Sequence, residues 1–442
     1  MLKQEISLAD NSINTRALVA DILTEIDKNM AKSHLLVREV LDKYDYLGRE
    51  DKSFIKRVTV GTLEQRIRID YVIERFSNTP VGKMKPFIRS VIRMSTYQLL
   101  YMDKIPDSAV VNEAVKLAAK RGFGGLRGFV NGLLRTISRS KAGIEYPADD
   151  TIKGMSINYS CPEIIVSSMV NDYGMDLTKV SLDASVREHV NYARLASGIQ
   201  DSQLRALLQE WDENNIDYEM DEDIPNLYRI GGNKFADLKG FLGGLYTIQD
   251  KSSAMVFKDI VFPENCVVLD VCAAPGGKAC HAADLLKGRG KVIARDLSES
   301  KVALIRENIQ RLRLDNIEAE CFDACDMDPS MEGAADVVIL DVPCSGLGVI
   351  GRKPDIKYAV NEEGLAALVE LQRRIIDNAV RYVKPGGQLL YSTCTMRKAE
   401  NEENVDYILG LPGTGLSLKY SKTIMLSDKQ DGFFIARFVR EG

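Results

Sequence analysis

Between Cys266 and Thr393 five short apolar runs alternate with helical stretches, and no other feature constrains the fold as tightly. The runs are Cys266–Asp270, Lys291–Asp296, Ile317–Asp323, Asp336–Asp341 and Gln388–Thr393, with helical patterns at 278–286, 298–312, 365–383 and 400–409. Apolar runs of this length, bounded by polar residues, suit strands buried on both faces. Joined by helices, they predict a doubly wound, mostly parallel α/β sheet. Such sheets bind ligands at the carboxyl ends of their strands. Four runs end in an acid (Asp270, Asp296, Asp323 and Asp341), so one crevice can receive all four. Two further runs, Leu416–Leu426 and Phe433–Val439, flank the polar turn 427–432 and predict a hairpin at the sheet edge.

The 442-residue chain is too long for one ordinary core, so two or three domains are expected. Residues 10–142 read as helices throughout. Leu18, Ile22 and Ile26 recur every four residues, as do Phe129, Leu133 and Ile137, and Val111, Val115 and Ala118 share one face. Asp107 or Ser108 is placed to cap the helix that carries Val111. The polar stretch Tyr146–Asp150, with its proline, reads as a linker. Residues 151–240 mix helical candidates at 162–173 and 202–214 with a short strand at 227–230. The predicted architecture is an all-α domain over 1–145, a small α+β module over 146–240, and the doubly wound sheet over 241–442.

With 45% hydrophobic and 27% charged residues, the composition is that of a soluble globular protein. No apolar run approaches the roughly 20 residues of a membrane span. The start of the chain carries acids early and lacks an apolar signal segment, so a cytoplasmic protein with no membrane partner is expected. A monomer is the separate expectation for its assembly, one that no sequence feature settles. The net charge of −5 is uneven: residues 1–150 hold 25 Lys/Arg against 19 Asp/Glu. Lys56, Arg57, Arg66, Arg68, Lys83, Lys85 and Arg89 lie within one stretch, 52–93. They form either a phosphate-binding face or an ordinary solvated helix surface. Eight cysteines and three histidines include no CxxC pair, and Cys321/Cys325 has no second ligand pair, so no metal site is expected.

The segment Asp270-Val-Cys272-Ala273-Ala274-Pro275-Gly276-Gly277-Lys278 joins the first run to its helix, and its small residues let a ligand approach the backbone. A P-loop would need Gly at 272 and Ser or Thr at 279, where the chain has Cys272 and Ala279. GxGxxG is absent as well, so a dinucleotide is unsupported. Asp296 is placed for ribose hydroxyls and Asp323 for an adenine amino group. The set suits a nucleoside ligand without a pyrophosphate, and S-adenosylmethionine fits that description. Cys344, after the fourth run, and Cys394, after the fifth, fall on the crevice together. Either alone reads as packing; jointly, beside a nucleoside site, they read as chemistry. Cytosine C5 becomes nucleophilic when a thiolate adds at C6, and a second group is then wanted to help remove the C5 proton. Asp341 is placed to bind the N3/N4 edge of the base. Two other readings remain at this point, a small-molecule methyltransferase and a non-catalytic RNA-binding factor.

The segments DVCAAPGGK, DVPCSGLG and STCT, followed by Glu400-Asn401-Glu402, together resemble the RNA 5-methylcytosine methyltransferase family. The helical region, with GFVNGLLR at 128–135, is similar to the antitermination factor NusB. The resemblance runs over essentially the whole chain. It implies a NusB-like helical RNA-binding domain, a middle module, and a Rossmann-like methyltransferase domain acting on a cytosine of 16S ribosomal RNA. It also implies that residues 272–278, Asp296, Asp323 and Asp341 contact S-adenosylmethionine or the target base, with Lys278 reaching that base. Cys394 is then the attacking thiol and Cys344 assists release. DNA cytosine methyltransferases place the nucleophile in their Pro-Cys motif, which leaves the swapped assignment open.

Overall fold

The computed structural model describes residues 14–29, 33–187, 189–232 and 235–442, and of His34 the backbone only. Residues 10–13 of the expected helical region, and the chain start read for a signal segment, lie outside the described residues. The chain divides into two compact units, residues 1–167 with 353–359, and residues 168–352 with 360–442.

The first unit is helical: α1 (Thr15–Asn29), α2 (Ser33–Lys43), α3 (Arg49–Glu64), α4 (Arg66–Phe76), α5 (Pro86–Tyr101), α6 (Asp107–Lys120), α7 (Arg127–Ser140) and α8 (Ile152–Asn158). The four-residue spacings point inward as expected, with Leu18, Ile22, Ile26, Val111, Ala118, Leu133 and Ile137 buried in one core. The expected cap is corrected. Pro106 precedes α6, Asp107 is its first residue, and no side chain caps it. Asp107 instead accepts from Ser138 Oγ at 2.6 Å and Lys141 Nζ at 2.9 Å, which ties α6 to the end of α7. The basic stretch 52–93 is also not one open face. Arg66, Arg89 and Arg93 converge on the buried Asp27 at 3.2, 3.1 and 2.6 Å, and Arg68 stacks over Tyr146. Those arginines neutralise an acid that burial would otherwise make costly. Lys56, Arg57, Lys83 and Lys85 stay exposed.

α9 (Glu163–Ser185) outruns the expected 162–173 helix and is broken at Gly174, where φ is 78°. The second unit then begins with a small antiparallel sheet of order β2-β3-β1-β4, built from β1 (Asn191–Leu195), β2 (Tyr218–Met220), β3 (Leu227–Ile230) and β4 (Tyr246–Ile248). α10 (Asp201–Glu213) places the fully buried Trp211 against Tyr218, Tyr228 and Tyr246, with ring centroids 5.4–5.9 Å apart. Two single-turn helices follow, α11 (Lys239–Leu242) and α12 (Lys251–Ala254).

The large sheet has the order β10-β11-β9-β8-β5-β6-β7. Its parallel part comprises β5 (Cys266–Asp270), β6 (Gly290–Asp296), β7 (Ile317–Cys321), β8 (Ala335–Asp341) and β9 (Val383–Thr393). The helices between and after them are α13 (Gly277–Leu286), α14 (Glu299–Leu312), α15 (Glu362–Tyr382) and α16 (Glu402–Gly410). The hairpin β10 (Leu416–Ile424) and β11 (Phe433–Arg440) adds antiparallel to β9. Val337, Val338, Ile339 and Leu340 of β8 are all fully buried, each worth about 1.5–3 kcal/mol on transfer from water. That two-sided burial explains why these strands read as unbroken apolar runs. Two boundaries are corrected: β7 ends at Cys321, so Asp323 lies two residues beyond its strand, and β9 begins at Val383, five residues before the expected run.

Candidate active site

The parallel strands carry their ends to one edge of the sheet. Asp341 and Ser392 are partners in the β8–β9 ladder, which sets Cys344 three residues past the end of one strand and Cys394 one past the end of the other. The two sulfurs are 3.2 Å apart, neither is in a disulfide, and both residues are partly exposed. A sharp local packing makes this possible. Gly348 N donates to Cys394 O at 2.9 Å while its own carbonyl accepts from Gly432 N at 2.9 Å. A Cβ on Gly348 would stand 1.8 Å from Gly432 O, so only glycine lets these backbones meet. The hydrogen bond with Cys394 and burial both push the Cys344 thiol well above its usual range.

Lys278, in the first turn of α13, is buried and donates to Asp341 Oδ2 at 2.7 Å above the ring of Phe433. Burial alone would lower its pKa, but the charge and hydrogen bond of Asp341 outweigh that and raise it. The other Asp341 oxygen accepts from Ser392 Oγ at 2.7 Å, leaving a side chain 31% exposed toward a ligand. Lys278, Asp341, Ser392 and the two thiols therefore form one cluster.

The loop from Val271 to Gly276 is the second part of the crevice. It contains the cis peptide Ala274–Pro275, and Gly276 adopts φ 103° before α13 begins. Ala273 N donates to Arg295 O at 2.8 Å and Ala274 N to Asp296 Oδ2 at 2.9 Å, so the loop folds over the end of β6. Asp296 is buried, and also accepts from Leu297 N and pairs with Lys301 at 2.9 Å. Asp323 is partly exposed and accepts from Cys325 N at 2.9 Å. Cys272 and Ala274 are partly exposed, Ala273 is buried, and Pro275 and Gly277 are exposed. Asp270 is fully buried with Oδ2 lacking any hydrogen-bond partner, and burial followed by the charge of Asp341 pushes its carboxyl up to about 8. An orphaned buried carboxyl beside a small-residue loop fits a ligand that brings donors and positive charge. S-adenosylmethionine, with its sulfonium and ammonium, is such a ligand.

Sequence reasoning missed the residues that hold the two cysteine loops. Ser345 and Thr395 bond to each other at 2.8 Å, and Ser345 also bonds to the fully buried Glu400. Gln372 bridges Pro343 O and Glu400, while Asn401 Nδ2 donates to Thr395 O at 3.1 Å. The Glu400-Asn401 pair was visible as a motif, but its partners lie up to 55 residues away along the chain. Among the described residues no group of three or more His, Cys, Asp or Glu side chains is placed to hold a metal ion. Nor is any helix long and apolar enough to cross a membrane.

The comparisons with known proteins cover both parts of the chain. A family model described as 16S rRNA methyltransferase RsmB/F matches residues 261–439, and the NusB family model matches residues 13–139. A probable ribosomal RNA small subunit methyltransferase B from Bacillus subtilis is 35% identical over 395 residues, which is 88% of this chain and 87% of that protein. Its counterpart from Synechocystis is 31% identical over 401 residues, 90% of this chain and 89% of that one. Among solved structures, PH0851 matches in fold with a TM-score of 0.79 at 23% identity, covering 98% of this chain and all of that one. NSun6 from Pyrococcus horikoshii, solved with SFG, gives a TM-score of 0.55 at 21% identity, covering 64% and 98%. By sequence over nearly its whole length, with the NusB and methyltransferase parts in order, the chain belongs to the ribosomal RNA small subunit methyltransferase B family.

Proposed function

We propose that the protein methylates C5 of one cytosine in 16S ribosomal RNA through a covalent bond between Cys394 Sγ and C6 of the base. Its family makes it an S-adenosylmethionine-dependent ribosomal RNA methyltransferase. The observation that carries the finer reading is the pair of thiols 3.2 Å apart beside the Lys278–Asp341 ion pair.

Bound S-adenosylmethionine supplies an electrophilic methyl carbon. The residues of the chain do the rest. Cys394 attacks C6 as thiolate, which moves the ring electrons onto C5. Cys344, whose thiol is held protonated by its hydrogen bond with Cys394 and by burial, is suited to give up a proton rather than to attack, which favours Cys394 over the swapped assignment. Asp341 and Lys278 bind the N3/N4 edge of the base and offset charge that develops there. After methylation the C6–sulfur bond breaks as C5 loses its proton, with Cys344 as relay: its thiol proton passes to the departing Cys394 sulfur and the C5 proton takes its place. Residues 272–277, Asp296 and Asp323 hold the cofactor, the last two at its ribose and adenine. The cytosine must be unstacked for a sulfur to reach C6.

Residues 1–145 serve as the RNA-binding domain, 146–240 as a supporting RNA-contacting module, and 241–442 as the catalytic domain. The protein works as a cytoplasmic monomer without a metal. The test is methyl transfer from labelled S-adenosylmethionine to unmodified 16S rRNA, followed by digestion to nucleosides. Label in 5-methylcytidine alone is expected. Label in another nucleoside, or cofactor binding with no transfer, contradicts the reading.

A further inference from the structure

The two cysteine loops come from different crossovers, yet one buried carboxylate grips both. Glu400 Oε2 accepts from Ser345 N at 2.8 Å and Gln372 Nε2 at 3.0 Å. Its Oε1 accepts from Ser345 Oγ at 2.6 Å and Arg397 Nη1 at 3.0 Å. Ser345 follows Cys344 directly, and Gln372 also donates to the carbonyl of Pro343, the residue before it, at 2.9 Å. On the other side Arg397 lies three residues past Cys394, and Thr395, its neighbour, shares a hydrogen bond with Ser345 Oγ. The backbone of Glu400 is fixed in turn, its carbonyl accepting from Tyr391 Oη and Asn404 Nδ2.

We propose that Glu400 is a positioning residue that sets the spacing of the two thiols, and so couples attack by one with release assisted by the other. Its carboxylate bonds to the residues that flank the cysteines, Ser345 and Arg397, and to Gln372. Its charge also faces Cys344 and helps keep that thiol protonated, in keeping with unequal roles for the pair. The inference rests on the two-cysteine reading above. Four donors on one carboxylate make the site intolerant of an amide. In Glu400→Gln the NH2 would face either Ser345 N and Gln372 Nε2 or Ser345 Oγ and Arg397 Nη1, leaving donor against donor in a buried place.

The test uses the full chain with S-adenosylmethionine and 16S rRNA. For Glu400→Gln, kcat is expected to fall roughly a hundred-fold, the scale of a misplaced reacting group. KM for RNA and cofactor affinity are expected to stay near wild type, while the melting temperature falls by a few degrees because of the buried donor clash. Ser345→Ala, which keeps the backbone bond to Glu400, is the milder variant and is expected to lower kcat by a smaller factor. Unchanged kcat in both variants overturns the proposal. So does a fall in kcat matched by equal losses of cofactor affinity and RNA affinity, which marks a merely structural residue. Cys394→Ala run alongside separates the two claims. Full activity there sinks the two-cysteine reading, whereas an inactive Cys394→Ala beside a fully active Glu400→Gln sinks only the role of Glu400.

Discussion

Asp270 shows how far surroundings change a residue whose identity alone says little. Its carboxyl is raised from 3.8 to about 8, burial first and Asp341 second. The folded protein thus holds a proton that the unfolded chain releases. The stability this contributes is complete below pH 3.8 and is lost as pH rises through about 8. A cationic ligand favours the ionised form, so binding below about pH 8 expels a proton and affinity rises with pH toward that value. Calorimetric titration of S-adenosylmethionine across this range should show tightening, and Asp270→Asn should flatten the profile and weaken binding roughly ten-fold or more, the cost of one charge-assisted contact. A profile unchanged by the substitution would remove Asp270 from the cofactor site. The grouping of the proposed site was legible here: Cys344, Cys394, Asp341 and Lys278 are brought together as their motifs suggested. Their protonation and the Glu400 network were not, because both depend on contacts between segments distant in sequence.

At the level of elements, the strands were readable because burial on both faces leaves little choice of residue. Helix faces were readable from spacing, whereas charge on a helix was not. Arg66, Arg89 and Arg93 looked like solvent-facing cations and instead surround Asp27. The basic face lies elsewhere. On α7, Arg127, Arg135 and Arg139 recur with Asn131 at four-residue spacing, are exposed, and among the described residues pair with no acid. Arg135 and Arg139 line a concave site with Asp107, Ser108, Val111 and Ser138. If α7 meets RNA phosphates, the double variant Arg135→Ala/Arg139→Ala should weaken RNA binding. It should also reduce the slope of log affinity against log salt by about 0.7–0.9 per lost contact, with kcat unchanged. An unaltered salt slope would exclude this face. The missed cap at α6 has the same origin, since Asp107 is drawn to Ser138 and Lys141 by tertiary packing.

Over the whole molecule, the order of helical region, small sheet and doubly wound sheet was legible from periodicity and the placement of acids and glycines. The strand order of the small sheet was not, because three- and four-residue strands carry too little pattern. Nor was the return of residues 353–359 to the helical unit. There Lys357 Nζ reaches Glu64 O, Tyr358 Oη reaches Leu63 O, and Asp355 holds Ser33, contacts made by a segment that sequence places inside the catalytic region.

The central claim is the covalent route, and one gel tests it most directly. Wild type, Cys344→Ala and Cys394→Ala are incubated with S-adenosylmethionine and unmodified 16S rRNA, then resolved under denaturing conditions. The account predicts a protein–RNA adduct that accumulates in Cys344→Ala, where release fails, and is absent in Cys394→Ala. An adduct confined to Cys394→Ala would reverse the two roles. No adduct and no methyl transfer by wild type would count against the substrate or the enzymatic reading, whereas methyl transfer by wild type with no adduct in any variant would contradict the covalent mechanism itself.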